Sequence, residues 1–172
     1  FPALNVRLSG VLAVIALEQL RMLPAWVEQR RRAGDRLVRI SRDYPVIPHP
    51  VPAGGRPSYW WFAFRLDPAR CAVAPEDFAA AMTAEGIPCR VGPQPNILRW
   101  ELFRALDRNP GAFRTYRPGP GLKKGAFDPE RFPETDRNCR TILSIPVNQH
   151  VSIRDTEDVR CIFDKLLPAK SP

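Results

Sequence analysis

The sequence predicts an α+β protein in which one long, kinked connector helix precedes a small domain of a few strands and helices. Three observations carry this. Apolar residues recur at helical spacing from Leu8 through Ile40, with Pro24 the one interruption. An aromatic run from Ser58 to Asp67, bounded by Pro57 and Pro68, has strand composition. The stretch from Ser152 opens with a capping signal and continues with helical apolar spacing. The division falls after residue 42: 1–42 holds an interface turn and the connector helix, and 43–172 the small carboxy-terminal domain.

Taken in order, the first helix should begin at Leu8 or Ser9, where the Ser9 hydroxyl can accept from amides of the first turn. Leu8, Val11, Leu12, Val14 and Ile15 cover more than one stripe, so this helix should be buried on most sides and implies a covering surface. Pro24 fits the first turn of a second segment. There Trp26, Val27, Leu37, Val38 and Ile40 give a sparse apolar side, and Glu28, Arg30, Arg31, Arg32 and Asp35 face water. Residues 43–57, rich in proline and glycine, should form a loop before the aromatic strand, in which Tyr59, Trp60 and Trp61 are expected to be sheet core. A helix from Pro75 has acids in its first turn and buries Phe78, Ala81 and Met82, and Gly86 stops it. Residues 87–91 read as a strand, 100–106 as a helix and 109–133 as irregular. Residues 134–141 read as helix, 142–147 as strand, and Ser152 with Asp155 opens a last helix burying Val159, Ile162, Phe163, Leu166 and Leu167.

Composition narrows the function. The 172-residue chain is 44% hydrophobic and 26% charged, ordinary for a globular protein. No apolar run is expected to cross a bilayer, and the amino end lacks the pattern of a signal peptide. The net charge of +8 comes from arginines scattered among acids, without interleaved stacking aromatics, so nucleic acid is not an expected partner. Cys71, Cys89, Cys139 and Cys161 form no Cys-x-x-Cys pair, and His49 and His150 have no metal-ligand spacing. The cysteines are expected to be reduced and mostly buried, no metal is expected, and the expected location is cytoplasmic.

The candidate site lies at the amino end. Asn5 and Arg7 flank Val6 just before the apolar helix. An amide can donate to a phosphate oxygen, and a guanidinium can grip a phosphate or carboxylate with two parallel hydrogen bonds.

The ordered set of features resembles the carboxy-terminal part of the DegT/StrS family of sugar aminotransferases, over essentially the whole chain. The matching pieces are Asn5-Val6-Arg7, Ala13 to Leu20, Leu23-Pro24, Arg30-Arg31, the strand Tyr59 to Asp67, Glu85-Gly86-Ile87-Pro88, Ile145 to Gln149 and Asp158 to Leu166. The resemblance implies the small carboxy-terminal α/β domain of a fold-type-I aminotransferase that uses pyridoxal 5'-phosphate. It implies that Asn5 binds the cofactor phosphate of the neighbouring subunit in a homodimer, and that Arg7 lies beside the substrate. The amino group would move from glutamate or glutamine to a keto-sugar or keto-cyclitol, and the Tyr-Trp-Trp strand with the Glu-Gly-Ile-Pro step leans toward keto-cyclitols. The Schiff-base lysine belongs to the family's amino-terminal large domain, which this chain does not contain. Lys123, Lys124, Lys165 and Lys170 do not match its context, so no catalytic residue is expected here and the chain alone should be inactive. The loop Gly92-Pro93-Gln94-Pro95-Asn96 departs from the Tyr and His that many relatives carry facing the substrate. The alternatives are a non-catalytic relative acting as a binding or regulatory module, and a basic nucleic-acid-binding domain.

Overall fold

Ser9 starts the first helix as expected: its Oγ accepts from the Leu12 amide at 3.3 Å. A computed structural model describes residues 8–92, 96–109 and 125–167. Helix α1 runs Gly10–Ser41 without a break at Pro24, where the sequence suggested a restart. Pro24 removes one backbone donor and crowds the carbonyl four residues before it, but the helical turns on either side continue through it. At about 1.5 Å per residue, α1 is roughly 48 Å long.

The small domain is built on a four-stranded antiparallel sheet in the order β1-β2-β4-β3, from β1 Val46–Pro48, β2 Trp61–Leu66, β3 Arg90–Val91 and β4 Leu143–Pro146. The helices are α2 Pro75–Ala84, α3 Glu101–Arg108, α4 Pro133–Thr141 and α5 Ile153–Leu166, with 3₁₀ turns at Ile97–Arg99 and Pro129–Arg131. Alternation along β2 and β4 sends Phe62, Phe64, Leu143 and Ile145 to one face. Leu37 and Ile40 of α1, Phe78 and Met82 of α2, and Val159, Ile162 and Phe163 of α5 complete that core. The Phe163 ring lies within 6.1 Å of those of Tyr44, Phe64 and Phe78. The capping box at Ser152 and Asp155 is formed in both directions and fixes where α5 begins.

Several expectations are corrected. Residues 43–57 are not all loop, because Val46–Pro48 pairs with β2. Tyr59 and Trp60 precede the strand; Tyr59 still packs half-buried against the core, whereas Trp60 does not belong to it. Tyr59 takes a positive φ of 42°, and Trp60 is 73% exposed. On α2 it is Ala79, more than Ala81, that joins Phe78 and Met82 in the core. Arg30 and Arg31 are half-buried rather than solvated: Arg30 donates to Gln149 Oε1 (3.2 Å) and Arg31 Nε to the Pro57 carbonyl (3.1 Å). Of the cysteines only Cys71 is buried, and Cys161 is exposed.

The largest difference concerns the front of α1. Expected to be buried, its apolar residues are exposed among the described residues, for example Val11 at 73% and Val14 at 62%. An 18-residue window of this helix has a mean hydropathy of 1.4 with none of it buried, so by length and composition alone it is long enough to cross a membrane, contrary to the sequence expectation.

Candidate functional site

Asn5 and Arg7 lie outside the described residues, which begin with Leu8 and Ser9 at the mouth of α1. Lys123, Lys124 and Lys170 also lie outside them. Lys165 sits on the surface of α5, its Nζ 2.6 Å from Glu85 Oε2. That hydrogen bond raises the Lys165 pKa, so the group is held as an ammonium rather than poised as a nucleophile. Among the described residues no cluster of three or more His, Cys, Asp and Glu side chains could hold a metal.

The described part of the site is the turn after β3. Gly92 has φ 67°, and its amide donates to the Ile142 carbonyl at 2.6 Å. A Cβ here would run into the backbone carbonyl of Cys139, so glycine is required twice over. On the far side of the turn Asn96 is 3% exposed, accepting from the Leu98 amide and donating to Asp136 Oδ1 at 3.0 Å. Arg99 Nε reaches both Asp136 oxygens at 3.2 Å, and its Nη2 reaches Glu130 at 2.9 Å. The hydrogen bonds from Arg99, and then from Asn96, hold the Asp136 carboxyl down at about 2. Residues 92 and 96 are therefore anchored to α4 from both ends, which fixes the entry and exit of the segment the resemblance places toward substrate. Nothing local in the sequence links Asn96, Arg99 and Asp136, and sequence reasoning missed them.

A second cluster ties α1 to the sheet. The Tyr59 ring lies against Gly34, and its hydroxyl donates to Asp35 at 2.9 Å. Burial first, and then that bond to a carboxylate, push the Tyr59 pKa up to about 12. Arg36 pairs with Glu157, and the Arg90 guanidinium sits 3.9 Å from the centre of the Trp61 ring. The Tyr59 and Arg36 contacts hold the back half of α1 to the domain, while the Arg90–Trp61 contact ties β3 to β2.

The model of the DegT/DnrJ/EryC1/StrS aminotransferase family matches residues 2–166. The chain belongs to this family. The match takes in all of α1, so the apolar front of the helix is a family element rather than an appendage. Among solved structures, a DegT/DnrJ/EryC1/StrS aminotransferase from Brucella abortus superposes with a TM-score of 0.65 at 22% identity, over 94% of this chain and 36% of that one. Spr1654 of Streptococcus pneumoniae, a candidate sugar aminotransferase in its PMP form, gives 0.71 at 15% identity over 96% and 37%. PseC of Helicobacter pylori, an aminotransferase involved in the biosynthesis of pseudoaminic acid, gives 0.64 at 20% over 94% and 38%. At these identities the likeness is one of fold. The chain spans little more than a third of the length of these family members, and its helix-then-small-domain architecture is that of their carboxy-terminal part.

Proposed function

We propose that the polypeptide carrying this chain is a pyridoxal-phosphate-dependent aminotransferase that moves an amino group from glutamate or glutamine to a keto-sugar or keto-cyclitol, acting in the cytoplasm as a homodimer. The observation that carries this is the family match from residue 2 to residue 166, which includes the Asn5-x-Arg7 turn. When bound, pyridoxal phosphate supplies the electron sink for the amino transfer. The one lysine among the described residues is ion-paired on the surface, and the residue of this chain that would hold the cofactor is Asn5.

In this reading the Asn5 amide donates to the phosphate of the neighbouring subunit's cofactor, and the Arg7 guanidinium orients an anionic group of the substrate. The test is subunit complementation with the whole polypeptide. Asn5→Ala protomers are mixed with protomers whose Schiff-base lysine is replaced. Each parent should be inactive or nearly so, and the mixed dimer should regain amino transfer from glutamate to a keto-inositol or keto-sugar acceptor. Cofactor affinity in Asn5→Ala should fall about tenfold or more, the worth of one charge-assisted hydrogen bond. Absence of recovery in the mixture would rule out the trans role. A whole polypeptide with no Schiff-base lysine and no transfer would mark a non-catalytic relative.

A further inference from the structure

The outer face of the sheet, opposite the aromatic core, carries an arginine with no acidic partner among the described residues. Arg65 on β2 faces the same way as Trp61 and Ala63, and pairs in register with Ile47 on β1. Backbone pairing continues one step past β1, the His49 amide donating to the Ala63 carbonyl at 3.0 Å. The result is a half-open cavity of about 250 Å³ in which the side with Arg65, His49 and Asn138 is polar, and Ile47, Ala63 and Ile142 are apolar. Asn138 and Ile142 belong to α4 and its end, so the cavity is a cleft between the sheet and that helix.

No acidic side chain lines this cleft. All 18 Asp and Glu residues of the chain fall among the described residues, and none of them pairs with Arg65. Its neighbour in sequence, Asp67, is engaged by the Ala69 amide at 3.0 Å. The contrast with other half-buried arginines is plain: Arg36 holds Glu157, Arg31 the Pro57 carbonyl, and Arg99 two acids. Arg65, with no acid beside it, therefore leaves its guanidinium donors free to meet an anion entering the cleft from solution.

We infer that this cleft is a binding site for a small organic carboxylate, gripped by Arg65 and with its apolar stem against Ile47, Ala63 and Ile142. A carboxylate suits the planar fork of one arginine, and the apolar wall suits a short hydrocarbon chain better than a fully hydrated phosphate. His49 and Asn138 supply further donors at the polar side. The site stands apart from Asn5 and Arg7 in function as well as in sequence, and does not depend on the aminotransferase proposal.

The experiment is calorimetric titration of the whole polypeptide with sodium butyrate at constant ionic strength, with no amino donor present. Butyrate should bind, and butyramide, which lacks the charge, should not. Arg65→Gln should weaken binding on the order of tenfold or more, while Arg104→Gln on the exposed face of α3 should leave it unchanged. Without any substitution, butyrate should move the NMR signals of the Arg65 Nε–H and the Ala63 methyl, which keeps the test valid if Arg65→Gln folds poorly. Equal binding by Arg65→Gln, equal binding of butyramide, or preference for inorganic phosphate would overturn the inference. So would binding abolished by Arg7→Gln yet kept by Arg65→Gln, which would put the carboxylate in the amino-transfer site instead.

Discussion

Leu12 and Leu37 lie on one continuous helix and meet opposite surroundings: Leu12 is 55% exposed and Leu37 is 2% exposed. The front of α1 is the more apolar half, yet the back is the half that is buried. What distinguishes the back is fit. Ala33 and Gly34 let the Tyr59 ring approach closely, Leu37 and Ile40 enter the aromatic core, and Arg30, Arg31 and Arg36 each find an acceptor in the domain. The front has apolar residues on every side and no covering surface among the described residues. Hydrophobicity along a helix therefore sets how much surface must be covered, while small residues and paired charges decide which neighbour covers it.

The sharpest way to break this comparison is to truncate one leucine in each half. In the 172-residue chain Leu37→Ala should cost about 2–5 kcal/mol in denaturant unfolding. Leu12→Ala in the same chain should change stability by no more than about 0.5 kcal/mol, as for an exposed position. In the whole polypeptide, where the covering surface implied by the all-round apolar front would be supplied, the Leu12→Ala cost should rise toward that of Leu37→Ala. Equal losses at both positions in the 172-residue chain would end the contrast between the halves.

The glycines of α1 sharpen it further, at smaller magnitude. A Cβ on Gly34 would sit 2.5 Å from the Tyr59 ring, so Gly34→Ala should cost about 1–3 kcal/mol by overpacking and displace the Tyr59–Asp35 contact. Gly10 has nothing within 4 Å of such a Cβ, and Gly10→Ala should instead gain up to about 1 kcal/mol of helix propensity. Gly34→Ala should lower the thermal midpoint, whereas Gly10→Ala should slow hydrogen exchange over the first turn of α1 and leave the midpoint in place.

These two glycines also mark how far the sequence could be read. Ser9 and Ser152 announced their helices because a cap acts within three residues, and the aromatic run announced β2 because side-chain type follows strand geometry. What was hidden depended on distant partners. Val46–Pro48 is a strand only because β2 lies beside it, within a stretch whose prolines and glycines read as loop. Tyr59 and Trp60 look like core from composition, but a positive φ at Tyr59 comes just before the strand, and Trp60 is left exposed. The site divides in the same way. Asn5 and Arg7, named from their local residue pattern, lie outside the described residues, whereas the Asn96–Asp136–Arg99 brace joins residues about 40 positions apart and has no local signature.

Removing the caps should separate the halves more gently. Ser152→Ala breaks a two-way capping box on a helix whose residues fill the core, and should cost about 1 kcal/mol of global stability. Ser9→Ala removes the single bond to the Leu12 amide at the exposed end, and should speed hydrogen exchange over the first turn of α1 without moving the global transition. A global loss from Ser9→Ala would mean that the front of α1 is coupled to the domain after all.

The smallest effect at neutral pH is confined to acid. Asp136 ionises in the folded domain at about 2, below the ordinary aspartate value near 3.9 expected of the unfolded chain. A depressed carboxyl pKa contributes stability that is fully present above the unfolded value and is lost as pH falls through the folded one. The domain should therefore show no change from this group between pH 7 and pH 5, then a falling unfolding midpoint between about pH 4 and pH 2. Asp136→Asn should flatten that portion of the curve, because the amide no longer titrates against Arg99. The front of α1 carries no comparable brace: its described ion pair, Glu18 with Arg21, is exposed on both sides, and Glu18→Gln should shift stability by no more than about 0.5 kcal/mol. If Asp136→Asn left the acid limb unchanged, the brace after β3 would be decorative, and the turn it anchors would have to be held by Gly92 and its backbone bond to Ile142 alone.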